Sequence, residues 1–469
     1  MKKRIYIFFI LLSTVCQIDA EISLPVIIAD NMVLQQQTGV KLWGNACADK
    51  KVSVRTLWNG KLYSVISNSV GNWILTVKTP TVGGPYSITF SDGKEKTISN
   101  VMIGEVWFCS GQSNMEMPMK GYAGQPVTAA QNAIAKADPS APIRLFKVEK
   151  NKSITPLQDV TGTWNENTPQ AVKEFSATAY FYALYLQSVL KVPVGIITAA
   201  WGGAGIESFM DSVTLSEFQK VNTPAKNTDK LTSPKHCELY NGMIYPLQNF
   251  AIKGVLWYQG EANAASYKLY KKQFPAMVAQ WRKCWGQGNF PFYFAQIAPW
   301  KYSGVQRTEA ARQREVQQNC MDIIPNSGMV VTVDTGDSIV IHPPMKQMIA
   351  ERFAYWALNK TYGRERIECR APEYNSMTIS NDTIVLDFKF AEDGLHSITK
   401  QIQGFEIAGR DSIFKPAQVM LTNKSKKIKL TEATISNPVA ARYAFKNYSS
   451  VSLFSNLGFP LTPFRTDDW

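Results

Sequence analysis

Beyond residue 20 the chain opens with short runs in which apolar residues tend to fall on every second position. Val40-Lys41-Leu42-Trp43, Val52-Ser53-Val54, Trp73-Ile74-Leu75-Thr76-Val77 and Tyr86-Ser87-Ile88-Thr89-Phe90 carry this pattern, the period of a strand with one buried face. Asn59-Gly60, Gly71-Asn72, Gly83-Gly84-Pro85 and Asp92-Gly93 punctuate them, as antiparallel strands require. At about residue 101 the texture changes. Near-continuous apolar runs at Val106–Cys109, Val192–Ala199, Val255–Tyr258, Phe292–Ile297 and Met329–Val333 alternate with longer helical patterns. The helices expected are 171–190, 267–285 with Tyr270, Phe274, Met277, Val278 and Trp281 on one face, and about 307–319. Another follows Pro343-Pro344 through Ile349, Phe353 and Trp356, since proline suits a helix start. Strands buried on both faces and joined by helices predict a parallel sheet. From about 370 the short-strand texture returns in Thr378-Ile379, Ile384-Val385-Leu386-Asp387-Phe388 and Ile428-Lys429-Leu430. The fold class is therefore α/β, with β-sandwich-like regions on both sides: 1–20 a leader, 21–100 β, 101–369 the core, 370–469 β.

The leader reading comes from Lys2, Lys3 and Arg4 ahead of an apolar stretch from Ile5 to Val15. That layout predicts export to a periplasmic or extracellular compartment, with cleavage after Ala20 and no stable membrane insertion. Cys16 is the alternative, a lipid anchor. Hydrophobic residues at 45% and charged residues at 19% exclude disorder and coiled coil as the main character. The net charge of +13 is scattered, with short runs such as Lys424-Ser425-Lys426-Lys427, so a solvated basic surface is expected and a nucleic-acid partner is not. Six cysteines remain past the leader, at spacings that spell neither a disulfide framework nor a zinc motif. The histidines are His236, His342 and His396.

In parallel α/β sheets ligands sit beyond the carboxyl ends of the strands, which singles out four segments. Cys109-Ser110-Gly111-Gln112-Ser113-Asn114-Met115 offers a serine in a turn after the first core strand. Ala200-Trp201-Gly202-Gly203-Ala204 offers glycine amides, and Trp257-Tyr258-Gln259-Gly260-Glu261-Ala262-Asn263 offers side-chain amides. Asp334-Thr335-Gly336-Asp337-Ser338-Ile339-Val340-Ile341-His342 brings a histidine to the same edge. Each segment alone has an ordinary structural role open to it. Together they hold the parts of acyl transfer: a hydroxyl, a base to take its proton, and donors for an oxyanion.

Gly111-Gln112-Ser113-Asn114-Met115, Trp201-Gly202-Gly203, Gln259-Gly260-Glu261 and Ile341-His342-Pro343 resemble, in order, the blocks of SGNH-type carbohydrate esterases. More narrowly the chain is similar to the sialate O-acetylesterase family. The resemblance extends to Asn31-Met32-Val33-Leu34-Gln35, Asn241-Gly242-Met243-Ile244 and Pro463-Phe464-Arg465-Thr466. It implies a flavodoxin-like hydrolase core that removes acetyl groups from sugars or glycans without metal or organic cofactor. By that resemblance Ser113 is the nucleophile and His342 the general base. The Ser113 amide, a Gly202 or Gly203 amide and the Gln259 side chain form the oxyanion hole, with Asn263 a weaker candidate. The third triad member departs from the pattern. Related esterases often carry an aspartate two or three residues before the histidine, where this chain has Val340 and Ile339. Asp337, Asp334 or a backbone carbonyl is left to orient His342.

Three rival readings stay open: sialic acid O-acetyl removal, deacetylation of plant polysaccharides such as acetylated xylan, and an inert core flanked by glycan-binding β regions. His236 is expected to be structural and His396 to lie on the surface. Glu116 and Glu261 are expected to hold loops rather than act as a glycosidase pair. Arg312 and Arg314 are expected on a solvated helix face, with contact to an anionic substrate as the alternative.

Overall fold

The computed structural model describes residues 21–226, 232–421 and 426–469. The leader, Cys16, and Lys424 and Ser425 lie outside the described residues. At the centre runs a sheet in the order Ser327–Val330, Phe292–Ala295, Gly254–Tyr258, Glu95–Gly111, Val194–Ala200, Ile143–Lys147, Trp164–Glu166. All neighbours in this order are parallel except the last pair. The five strands expected from the apolar runs are all present. Their residues are buried on both faces, which is why each reads as a continuous apolar run.

Ile143–Lys147 and its antiparallel neighbour were not foreseen. Arg144 breaks the apolar run, yet it is buried and paired with Glu166 at 3.2 Å. The stretch 171–190 forms two helices, Pro169–Glu174 and Ala177–Leu190, because the Ser176 hydroxyl caps the second by accepting from the Ala179 amide. Tyr267–Trp285 has the expected limits, and its stripe of Tyr270, Phe274, Met277, Val278 and Trp281 is buried. The stripe meets the sheet through aromatic pairs, Phe274 on Phe294 at 5.0 Å and Trp281 on Trp257 at 5.7 Å. Such pairs contribute about 0.5–1.5 kcal/mol each beyond their burial. Helices Glu309–Ile323 and Lys346–Trp356 follow.

The two β regions join the core differently. Glu95–Gly111 is one 17-residue strand that begins antiparallel to Gly83–Ser91 and ends parallel within the core, so the change of texture near residue 101 falls inside a single element. Val33–Gln35 pairs with it, and the Gln35 Oε1 accepts from the Val106 amide at 2.9 Å. The segment around Asn31–Gln35 is therefore structural. The C-terminal region has sheets of its own and is tied to helix Glu309–Ile323 by side chains. Arg465 makes a two-pronged contact with Glu315 at 2.7 and 3.2 Å. Arg314 is wholly buried and donates to the carbonyls of Ala444 and Lys446. The expectation of a solvated face thus fails for Arg314, whose guanidinium serves as an internal strap.

Candidate active site

Gly111 ends the first core strand with φ +139°, and a Cβ there would lie 2.1 Å from the Tyr258 carbonyl. Only glycine lets the two strands close at that point. The chain then turns into the short helix Ser113–Glu116. Gln112 pins the turn to the next strand end: its Oε1 accepts from the Gly260 and Ala262 amides at 3.4 and 3.3 Å, and its own amide donates to Tyr258. Ser113 is half-buried at the rim.

Asn114 ties the serine turn to the histidine loop. Its Nδ2 donates to Glu261 Oε1 at 2.6 Å and to the Ile341 carbonyl at 3.4 Å, while its Oδ1 accepts from Lys346 Nζ. The residue after Ser113 thus bonds the residue before His342, although 227 positions separate them. Lys346 and Glu261 are both buried. Burial pushes the Lys346 ammonium down to about 7 against the opposing pull of Glu261, and burial raises the Glu261 carboxyl despite the Asn114 bond and Lys346. One amide that both donates and accepts is what such a pair needs on one side chain.

The Trp201–Gly203 turn packs directly on this element. A Cβ at Gly202 would lie 3.4 Å from the Ser113 Cβ. The Gly202 amide donates to Glu116 Oε2, and Glu116 Oε1 is paired with Lys150 at 2.5 Å. Gln259 is buried, and its Nε2 donates to the Ala204 carbonyl at 3.2 Å and to Asn263 Oδ1 at 2.7 Å. These bonds correct two oxyanion assignments, since the Gly202 amide and the Gln259 side chain are already spent on holding the turns. The amides of Ser113 and Gly203 have no hydrogen-bond acceptor among the described residues. Gly203 has φ +73° with open space where a side chain would be. Asn263 also holds the loops, accepting from Ile206 and donating to Glu207.

His342 sits half-buried in the loop between the last core strand and helix Lys346–Trp356. Its Nδ1 bonds Gln125 Oε1 at 2.5 Å, and Tyr122 packs edge-on at 5.2 Å between ring centres. Burial first, and then the nearby Lys346 charge, bring the imidazole down to about 4. Asp337 does not reach this ring. It is exposed, and its Oδ1 accepts from the Ile339 and Val340 amides at 2.6 and 3.1 Å, the ordinary work of an aspartate in a turn. Asp334 is equally committed, to a two-pronged contact with Arg352 at 2.8 and 2.7 Å.

The remaining candidates are structural. His236 accepts from the Asn222 amide at 3.0 Å, and His396 lies exposed on a strand of the C-terminal region. Glu116 and Glu261 both hold site loops, as expected. Arg312 reaches the carbonyl of Trp469. Two residues of the site carried too weak a mark in the sequence to be singled out. Lys346 lies three and seven positions before the buried Ile349 and Phe353, a lysine in phase with an apolar stripe, and that spacing was a usable signal. Gln125, in Gly124-Gln125-Pro126, carried only the signature of a loop.

Comparison with known proteins places this arrangement in context. Residues 103–355, more than half of the chain, match the model of a family described as carbohydrate esterase, sialic acid-specific acetylesterase. Human sialate O-acetylesterase is 28% identical over 384 residues, covering 74% of this chain and 72% of its own. The mouse protein of that name is 26% identical over 489 residues, covering 89% and 88%. The crystal structure of a carbohydrate acetylesterase from Xanthomonas citri superposes with a TM-score of 0.86 at 33% identity, over 96% of this chain and 100% of that one. The fold, the ordered blocks and these likenesses agree, and the chain belongs to the sialic acid-specific acetylesterase family of carbohydrate esterases.

Proposed function

We propose that the protein is an exported serine esterase that removes O-acetyl groups from sialic acid through an acetyl-serine intermediate. Export rests on the leader pattern of residues 1–20. The single observation that carries the catalytic reading is the Asn114 bond to Ile341, which brings the Ser113 turn and the His342 loop to one rim. With Nδ1–H facing the Gln125 oxygen, His342 Nε2 keeps its lone pair and takes the Ser113 proton as Oγ attacks the acetyl carbonyl. The Ser113 and Gly203 amides are the donors left for the oxyanion, and losing one such donor costs about 10²–10³ in rate. The imidazolium then returns its proton to the departing sugar oxygen. In the second half the imidazole takes a proton from water as it attacks the acetyl carbonyl, the acyl–Oγ bond breaks to free acetate, and the proton goes to Ser113 Oγ.

Sialic acid is favoured by the family match over residues 103–355 and by the sialate O-acetylesterases of human and mouse, 28% and 26% identical. The lysines beside the Trp201 turn do not add to that preference, because Lys150 is paired with Glu116 and Lys152 is buried with its ammonium on Thr232. Acetylated plant polysaccharide is the second reading, because the Xanthomonas citri relative is described by its action on carbohydrate without a named sugar. Acetate release from O-acetylated sialic acid and from acetylated xylo-oligosaccharide, measured side by side, decides between them. Faster release from the xylo-oligosaccharide would refute the sialic acid reading.

A further inference from the structure

The loop that carries Gln125 is built to hold its side chain still. Tyr122 and Gln125 exchange two backbone hydrogen bonds, at 3.0 and 2.9 Å, with Gly124 at φ +70° inside the turn. Three residues on, the Thr128 amide donates to the Pro344 carbonyl at 2.9 Å, two positions past His342. One tight turn therefore delivers two groups to the imidazole: the Tyr122 ring edge-on and the Gln125 oxygen on Nδ1. An amide oxygen accepts and does not donate, so Nδ1 carries the proton and Nε2 is free to act as a base. The sequence has no carboxylate at the two positions before His342, where Val340 and Ile341 stand, nor at Ile339. Asp337 and Asp334 are bonded elsewhere.

We propose that Gln125 is the positioning residue of this active site, a neutral amide that fixes the tautomer and ring of His342 where a triad would use a carboxylate. The proposal rests on the reading of Ser113 and His342 as nucleophile and base. Its physical consequence is specific. A carboxylate orients the ring and also stabilises the imidazolium, which raises the pH at which the ring protonates. Gln125 supplies the orientation without the charge. The other ionisable groups around the ring do not replace that charge. Tyr122 faces it from the same turn, and Lys346 acts on it from the following helix with positive sign. Glu116, which acts on Tyr122, is bonded to Gly202 and Lys150, and Glu261, which acts on Lys346, is bonded to Asn114.

The test is the pH profile of 4-nitrophenyl acetate hydrolysis for the whole protein, between about pH 3 and 9, with Gln125→Ala, Gln125→Glu and Asp337→Asn. Gln125→Ala is expected to lower kcat about 10–100-fold with KM within about twofold, since the partner that orders a catalytic or ligating histidine is worth at least that much. Gln125→Glu is expected to keep activity and to move the acidic limb up by about one pH unit or more. Asp337→Asn keeps the oxygen that caps Ile339 and Val340, so rate and limb should stay put. An unchanged kcat in Gln125→Ala, an unmoved limb in Gln125→Glu, or a loss with a lowered limb in Asp337→Asn overturns the proposal. If Gln125→Ala fails to fold by thermal melting, the Gln125→Glu limb decides alone. Ser113→Ala run in parallel keeps the two readings apart. Activity surviving that change sinks the esterase mechanism, whereas an inert Ser113→Ala beside a fully active Gln125→Ala sinks only the role of Gln125.

Discussion

The two halves of the active site are built on different principles. The serine half sits on adjacent strand ends, and its turns are interlocked by buried groups: Gln112 on Gly260, Asn114 on Glu261, Gln259 on Asn263. Its position is a by-product of the sheet. The histidine half is the loop 331–345 between a strand and a helix, and a few side chains hold it. Arg352 grips Asp334, Trp300 Nε1 donates to the Ile339 carbonyl at 3.1 Å, Asn114 reaches Ile341, and Gln125 meets the ring itself. Ser113, the proposed nucleophile, is placed by the strand ends and His342, the proposed base, by individual anchors, so single substitutions should misplace His342 more readily than Ser113.

The sharpest break is chemical. Ser113→Ala should reduce kcat/KM by about 10⁴ or more while leaving the melting temperature within about 2 °C, because the half-buried hydroxyl has no partner among the described residues whose loss would cost stability. A large drop in melting temperature would show that the serine half depends on the side chain and not on the sheet.

Asn114→Ala removes the bridge between the halves and strands Lys346 and Glu261, both buried. A cost of about 2–3 kcal/mol in urea unfolding is expected, together with a loss of about 10–100-fold in kcat as the histidine loop is released. If stability falls and kcat does not, the base keeps its place without the bridge, and its dependence on individual anchors is refuted.

Arg352→Met strikes the main anchor of the histidine half. The pair it breaks is buried on both sides, with side chains 5% and 8% exposed, so about 3 kcal/mol of stability should be lost, since Asp334 is left uncompensated. Turnover should fall by about tenfold with KM nearly unchanged. An equal loss of activity from a substitution of similar stability cost in the N-terminal β region would show that this anchor is not particular to the base.

The smallest effect concerns pH. The imidazole is held down to about 4, first by burial and then by the Lys346 charge. Only the neutral ring can accept the serine proton, so kcat/KM should stay flat from neutrality downward and halve near pH 4, where protonation removes the base. A limb near the ordinary histidine value of about 6.5 would mean that water reaches the ring, and that the histidine half is looser than its contacts indicate.

Much of this molecule is legible from the order of its residues. Continuous apolar runs such as Val255–Tyr258 mark strands buried on both faces, and the stripe from Tyr270 to Trp281 marks a helix lying on them. Ser113 and the Gly202-Gly203 turn stand out as residues just past the carboxyl ends of strands, and His342 as the histidine of the loop that follows the last one, because sheet topology sends those segments to one rim. Legibility fails where a polar side chain sits inside. Arg144 hid a strand, and Arg314 looked like surface, because a buried charge is tolerated only through partners far along the chain, here Glu166 and the carbonyls of Ala444 and Lys446.

Hydrophobic period, turn residues and the order of four short blocks are properties of neighbouring positions, and they settled the sheet, its flanking β regions and the family. Which donors stay free for an oxyanion, and which group faces His342 Nδ1, are properties of side chains brought together from 55 to 217 positions apart. Asp337 was one of the candidates for that partner, beside Asp334 and a backbone carbonyl, yet its carboxylate accepts from the amides of its own turn. Gln125, with no mark beyond a loop, holds the ring because packing joined two loops whose meeting no local pattern encodes.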